Sequence, residues 1–321
     1  MSFDFQSVSI DLLFAGISEN SVPENIDIFD DKILRNLDTK SEKSLNGPRV
    51  TYMISRLVPN FDNFLIVLRC IRKWAKVKGL YGNKLGYLGG VNLNILVAFV
   101  CQLYPKASPS SLLVKFFKVY HQWRWPNPIK LNHIKLLPPH DEIWSAERFP
   151  YHAMPIITPA YPAMNSSANI SERTRAIIQQ EITMGYECVQ TIVRSNGKGW
   201  EKLFSPSDFF VRYDHYLCCN IIAKKNHDEA RSWVGFVESR IRRLPEYLSE
   251  LPSPVVHFYP VKFPTSKSEL SHCYFIGFDV DLSRFKGTED RSLYIDRFID
   301  DFRYEAIFAS QVILGLSLLD K

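Results

Sequence analysis

The stretch from residue 71 to residue 91 concentrates the residue types that a nucleotide site needs. It supplies an arginine for phosphate groups, a tyrosine ring on which a base can stack, and an asparagine amide that can read a base edge. A Gly-Gly pair then lets backbone approach a ligand, because no Cβ stands in the way. A basic surface helix followed by an ordinary turn is the alternative interpretation. The candidate residues of this stretch are the cations Arg72, Lys73 and Lys76, the ring of Tyr81, the amide of Asn83 and the Gly89-Gly90 pair.

Several helices are expected to position this stretch. Apolar residues at helical spacing from Phe64 to Ala75 predict a helix with one buried face, which Gly79 ends. Further helices are predicted over Gly90–Leu103, over Ser110–Trp125 and after the capping residue Ser171. Between them, the proline-rich residues 126–165 are expected to pack as an extended strap, because they include many large apolar side chains.

The first fifteen residues follow a different pattern. Residues 3–15 alternate and then run apolar, which predicts a hairpin or two strands with Asp11 in the second. A carboxylate in a buried strand is costly unless it is paired or metal-bound. From the pattern alone, an Asp that faces solvent at a strand end is the favoured interpretation. Residues 20–60 then become polar, with short helical pieces expected around Asp31–Leu37 and Thr51–Leu57. Because a sheet needs more than two strands, the hairpin is expected to be the edge of a larger domain.

The last third of the chain predicts a second domain that begins near Pro206. Strands are expected over His215–Ala223, Pro254–Val261 and His272–Leu282, with helices over Asp228–Leu251 and Leu293–Ala309. This β-α-β-β-α order predicts a ferredoxin-like sheet with helices on one face, the architecture of RRM-type RNA binders. Another small α+β domain is the alternative. The fold class expected for the whole chain is α+β.

Composition narrows the functional classes. The 321 residues include 39 Lys and Arg against 34 Asp and Glu, a net charge of +5 that permits a polyanionic partner. The six cysteines form no C-x-x-C pair, so zinc and redox motifs are not expected, and free thiols are the simpler account. The most apolar stretch, Val91–Leu103, is too short to span a bilayer, so no membrane partner is expected.

Several motifs in order resemble the eukaryotic nuclear poly(A) polymerases. Those motifs include Ser9–Ala15, Leu34–Asp38, Ser44–Val50, Leu57–Asn60, Ile71–Val91, Cys101–Pro105, Trp123–Pro128, Met154–Pro162 and Trp233–Ser239. The resemblance covers almost the whole chain. It implies a remnant of the nucleotidyltransferase palm in residues 1–18, a central helical domain in 19–205 and an RRM-like RNA-binding domain in 206–321.

The family's chemistry is nucleotidyl transfer on two divalent metal ions, Mg²⁺ or Mn²⁺, held by three carboxylates. The resemblance implies ATP as substrate, an RNA 3′ end as acceptor, cleavage and polyadenylation factors as partners, and a nuclear location. By the same resemblance, Asp11 matches the third catalytic and metal-binding carboxylate, and Asn46 matches an Asn that faces the nucleotide and primer. Tyr81, Asn83, Gly90 and Val91 match nucleotide-contacting positions of the family.

Two departures bear on activity. Arg72 stands where the family has a phosphate-binding Lys, and no Gly-Ser element with an Asp-x-Asp precedes Asp11. A single carboxylate cannot hold two metal ions, so this chain is expected not to catalyse adenylation by itself. The expected function is template-independent addition of AMP to mRNA 3′ ends, incomplete in this chain. A non-catalytic RNA-binding or regulatory paralogue is the alternative.

Overall fold

The architecture is that of a computed structural model of the chain. It describes residues 1–6, 8–18, 21–134, 143–223, 227–241, 244, 255–265, 271–279 and 312–320. The fold is mixed α+β, as the sequence predicts, with a helical body and a four-stranded antiparallel sheet. Among these residues, no helix combines the length and the apolarity that crossing a membrane requires.

The amino-terminal strands form a small sheet of their own. β1 (Ser2–Phe5) pairs antiparallel with β2 (Val8–Asp11), which confirms the predicted hairpin. The hairpin and the segment after it expose several large apolar side chains, with Phe5, Leu13 and Phe14 exposed by 59%, 63% and 84%. Two four-residue strands bury too little surface to be stable alone.

Five helices form the body of the chain. They are α1 (Thr39–Leu57), α2 (Phe61–Val77), α3 (Gly90–Leu103), α4 (Pro109–Gln122) and α5 (Glu172–Arg194). The sequence predicted only a short piece at 51–57, whereas α1 begins twelve residues earlier, at Thr39. It does so because the Asp38 carboxylate accepts hydrogen bonds from the N–H groups of Lys40 and Ser41 at 2.9 and 3.0 Å.

The core confirms the predicted face of α2. Ile71 and Trp74 are fully buried, and the Trp74 ring meets Phe117 of α4 edge-on, with 5.0 Å between ring centroids. Helix α4 in turn packs closely on α5, because Gly185 lies directly against the Phe117 ring. The strap is packed as predicted, and its Ile156 pairs with Ile129 in a parallel bridge.

The second domain is an antiparallel sheet of four strands in the order β4-β5-β3-β6. Its elements are β3 (His215–Ala223), α7 (His227–Arg240), β4 (Val255–Pro264), β5 (His272–Asp279) and β6 (Val312–Asp320), and α6 (Phe209–Arg212) precedes it. The sequence analysis did not predict β6, which pairs with β3 along nine residues. The predicted helix over 293–309 lies outside the described residues.

Contacts among the described residues join the sheet, and the short helix α6 before it, to the helical body. The Tyr87 hydroxyl donates to the Phe258 carbonyl at 2.6 Å. Gly79 has a φ of +68°, and a Cβ at this position would overlap the Tyr259 ring. Arg212 Nη2 donates to the buried Glu181 carboxylate of α5 at 2.6 Å. The sheet is therefore fixed to the turn that follows α2 and to α5.

Candidate nucleotide-binding cleft

The turn between α2 and α3 places the predicted nucleotide residues. Gly79 ends α2 in the left-handed conformation, after which Tyr81 and Leu88 form a parallel bridge. This closed turn sets the Tyr81 ring beside the first residue of α3. The Tyr81 hydroxyl oxygen and Arg72 Nη2 each lie 3.4 Å from where a Cβ on Gly90 would be. Gly90 thus leaves room for a ring and a cation to meet its backbone.

Cations of α2 surround this corner. Arg72 Nη2 donates to Asn94 Oδ1 of α3 at 2.9 Å, which fixes the guanidinium beside Gly90. The Lys76 ammonium lies 5.2 Å from the centroid of the Tyr81 ring, a cation–π contact. The first N–H groups of α3 also have no intrahelical acceptor, and a helix N-terminus of this kind favours anions. The corner is suited to phosphate groups.

A cleft of about 400 Å³ opens next to this corner. Its walls come from α1, from the turn, from the start of α3 and from the strap. They are Asn46, Gly47, Val50, Asn83, Gly89, Gly90, Val91, Asn92, Thr158, Met164, Asn165 and Ser166. This volume falls within the range of small-molecule sites. Four predicted residues, Asn46, Asn83, Gly90 and Val91, therefore line one cleft, although distant segments of the sequence supply them.

The cleft rests on a network of side-chain amides. The buried Asn92 accepts from the Gly89 N–H at 2.6 Å and donates to the Ser166 hydroxyl at 2.8 Å. Asn83 Nδ2 donates more weakly, at 3.3 Å, to Asn92 Oδ1 and to the Ser166 carbonyl. The network ties the strap to the start of α3. It also engages the Asn83 amide that the sequence analysis assigned to base recognition.

Asp11 is not among the residues that line the cleft. It is exposed and occupies the last position of β2. The segment after β2 is attached to α1, where the Gly16 N–H donates to Ser41 Oγ at 2.9 Å. The structure thus brings Arg72 and Tyr81 to the cleft corner without placing Asp11 among the cleft walls. The roles of all seven predicted residues stay predictions.

Sequence reasoning missed part of the cleft. The strap contributes Thr158, Met164 and Asn165, and Ser166 follows it directly; none of the four was predicted to face a ligand. Asn92 was noted only as a departure from the family, yet its side chain caps the start of α3. Its place three residues after Gly89 is the position from which a side chain reaches back to the N-cap N–H, and that spacing was an available signal.

Three domains of one known protein family match successive parts of the chain. The poly(A) polymerase nucleotidyltransferase domain matches residues 1–58, the central domain matches 63–206, and the predicted RNA binding domain matches 208–272. The chain belongs to the poly(A) polymerase family. Membership assigns it to the polynucleotide adenylyltransferases, a family that uses nucleotides and divalent metal ions.

Three similar poly(A) polymerases illustrate the extent of the match. Nuclear poly(A) polymerase 4 of Arabidopsis thaliana is 41% identical over 317 residues, which cover 95% of this chain and 42% of that protein. Nuclear poly(A) polymerase 1 of the same plant is 42% identical, with 95% and 43% covered. The Dictyostelium discoideum poly(A) polymerase is 38% identical, with 93% and 38% covered. The chain thus spans about two fifths of the length of these relatives.

The donor set for the metal ions of a poly(A) polymerase is not complete in the described residues. They contain no group of three or more His, Cys, Asp or Glu side chains that could hold a metal ion. Asp11 by itself supplies one carboxylate, whereas a two-metal site needs several oxygen ligands. The described residues therefore do not fit a two-metal centre, and the cleft is interpreted through its own side chains and backbone.

Proposed function

We propose that this chain forms the nucleotide-binding and RNA-binding portion of a nuclear poly(A) polymerase. The reaction transfers AMP from ATP to an RNA 3′ end. The terminal 3′-hydroxyl oxygen bonds to the α-phosphorus, its proton is released, and the bond to the β-phosphate oxygen breaks to give pyrophosphate. The cleft supports this proposal best, because Asn46, Asn83, Gly90 and Val91 line it together.

Each part of the cleft has a role in this proposal. The Arg72 guanidinium beside Gly90 binds the triphosphate, and the N-terminus of α3 adds N–H groups for the same anion. The Tyr81 ring, held under Lys76, stacks on the nucleoside. In this proposal Asp11 is the third carboxylate of a two-metal site for Mg²⁺ or Mn²⁺, completed by carboxylates beyond those of the described residues.

A nucleotide-binding measurement tests the cleft directly. Replacing Arg72 by Ala should weaken ATP binding about tenfold, because a charge-assisted hydrogen bond to phosphate contributes roughly 1.5–3 kcal/mol. Arg56→Ala, on an exposed residue of α1 outside the cleft, is the matched control and should leave ATP affinity unchanged. Equal affinities of the two variants, measured by NMR titration, would count against the assignment of the corner to phosphate.

A reconstitution experiment tests the reaction. The chain should bind oligoadenylate with an affinity that falls steeply with salt, as expected for phosphate contacts. Joining it to the part of Arabidopsis nuclear poly(A) polymerase 4 that it does not cover should give ATP-dependent lengthening of an RNA primer. The same fusion with Arg72→Ala should lengthen the primer more slowly. Failure of the unmodified fusion to bind RNA at low salt would refute the proposal.

A non-catalytic RNA-binding paralogue is the second candidate. The observation that favours it is Arg72, which replaces the family's phosphate-binding Lys and already donates to Asn94. A forked guanidinium held in this way presents a different geometry to a triphosphate than a lysine does. A fusion that binds ATP and RNA but adds no AMP would identify this candidate. Reversion by Arg72→Lys should then restore some lengthening.

A further inference from the structure

Asn165 of the strap lines the cleft, and its side-chain oxygen is hydrogen-bonded to neighbouring backbone. Asn165 Oδ1 accepts hydrogen bonds from the N–H groups of Ile156 and Ser167, at 3.0 and 3.1 Å. Two backbone donors on one oxygen determine the orientation of the amide, because a rotated amide would set its NH₂ group against both N–H groups. The nitrogen of Asn165 is therefore fixed as a hydrogen-bond donor.

That donor has no acceptor among the residues that the structure describes. Asn165 Nδ2 is buried and lacks a hydrogen-bond partner, while Asn165 itself lines the cleft. Buried amide groups are almost always hydrogen-bonded, so an exception at a ligand-sized cleft calls for a functional explanation. Two other cleft amides differ in this respect. Asn83 and Asn92 both donate to neighbouring groups of the chain.

A second unpaired group belongs to the same cleft. Asn46 Oδ1 of α1 is also buried without a hydrogen-bond partner. Two amides of the cleft walls, Asn165 and Asn46, therefore each carry a polar atom without a partner among the described residues. Adenine offers the complement of this pair, since its exocyclic amino group donates and the ring nitrogens beside it accept.

We propose that Asn165 is a base-reading residue of this cleft, whose Nδ2 donates a hydrogen bond to an acceptor nitrogen of the bound purine. The inference rests on the proposed function, because it requires a nucleotide in the cleft. It adds a contact from the strap to those from α2 and α3. Specificity follows because an analogue without that nitrogen leaves the Asn165 donor unpaired.

Deaza analogues test the contact atom by atom. In 1-deaza-, 3-deaza- and 7-deaza-ATP, a single ring nitrogen is replaced by C–H, so each analogue lacks one acceptor. One of them should bind the chain about tenfold more weakly than ATP. Asn165→Asp keeps an oxygen for Ile156 and Ser167 but removes the donor. In this variant, the ratio of ATP affinity to affinity for that analogue should fall to about two or less.

The ratio of ATP affinity to analogue affinity also distinguishes the loss of the base contact from the effect of the added charge. The added negative charge in Asn165→Asp repels the triphosphate of ATP and of every analogue alike, so it cancels in the ratio. Asn60→Asp, at the N-cap of α2 and outside the cleft, is the control of equal charge and should leave the ratio as in the parent chain.

Two results would overturn the inference, and they differ in what they mean for the proposed function. If ATP binds and Asn165→Asp leaves every analogue ratio unchanged, the base contact is refuted while the nucleotide site stands. If the parent chain shows no ATP binding by saturation-transfer NMR, the nucleotide site and the base contact both fail. A selective loss of discrimination in Asn165→Asp supports both.

Discussion

At the scale of single residues, His257 shows how the sheet domain responds to acid. Its side chain is 1% exposed, and the Tyr213 hydroxyl hydrogen-bonds with its Nδ1 at 2.8 Å. Burial, followed by the nearby charge of Arg212, lowers the pKa of His257 to about 3 from an ordinary value of 6.5. The imidazole is therefore neutral in the folded chain throughout the physiological range.

This shift predicts a loss of stability in mild acid. Below an ordinary pKa of 6.5, the unfolded chain binds a proton at His257, whereas the folded chain does not until about pH 3. Stability consequently falls as pH decreases through this window, and the free energy of unfolding should drop by about 2 kcal/mol between about pH 7 and pH 5. His257→Gln should remove that part of the slope in urea titrations. A parent and a variant with equal slopes would contradict the assignment to His257.

At the scale of elements, the contact between α4 and α5 depends on a glycine at one position of the interface. Gly185 sits in α5, and a Cβ there would overlap the Phe117 ring. Gly in a helix interior normally costs about 1 kcal/mol relative to Ala, so close packing has to outweigh propensity at this position. Gly235 of α7 provides the contrast, because nothing lies near its Cβ position.

The pair Gly185→Ala and Gly235→Ala separates the two effects. We expect Gly185→Ala to lower the free energy of unfolding by about 1–3 kcal/mol, since the ring or the helix must move. Gly235→Ala should raise it by about 0.5–1 kcal/mol, because only helix propensity changes. Thermal or urea unfolding of both variants measures these changes in the free energy of unfolding. Stabilisation by both substitutions would show that α4 and α5 adjust freely.

The elements also show which features the sequence can reveal. The buried face of α2, the bounds Gly90–Leu103 of α3 and the Ser171 cap of α5 were predicted correctly, because periodicity and capping are local. The strap wall was not predicted, because it forms through contacts such as Asn83 to Ser166, across 83 positions. Strand β6 was missed because only its pairing with β3 distinguishes it from another short apolar run.

At the scale of the whole molecule, the amino-terminal hairpin and the segment after it expose several large apolar side chains. Phe5 on β1, and Leu13 and Phe14 in the segment after β2, are more than half exposed, and the two strands are too short to be stable alone. Exposed apolar groups of this kind mark an interaction surface or a tendency to self-associate. These side chains lie in the part of the chain, residues 1–58, that matches a nucleotidyltransferase domain.

These exposed apolar side chains predict that the isolated chain self-associates. We expect analytical ultracentrifugation to show concentration-dependent association of the parent chain, driven by apolar burial of about 25 cal/mol per Å². The double variant Leu13→Ser and Phe14→Ser should sediment as a monomer over the same concentrations. Joining the chain to the remaining part of a relative should have the same effect. Association that persists unchanged in the double variant would place the contact elsewhere.

Gly79 has a consequence that reaches across the molecule. Because Gly79 has no side chain, the turn after α2 packs directly against the Tyr259 ring of the sheet. A methyl group in its place would overlap that ring. We expect the sheet to move away from the helices and Tyr81 to shift with the turn. The packing of the sheet against the turn that carries Tyr81 therefore depends on this one glycine.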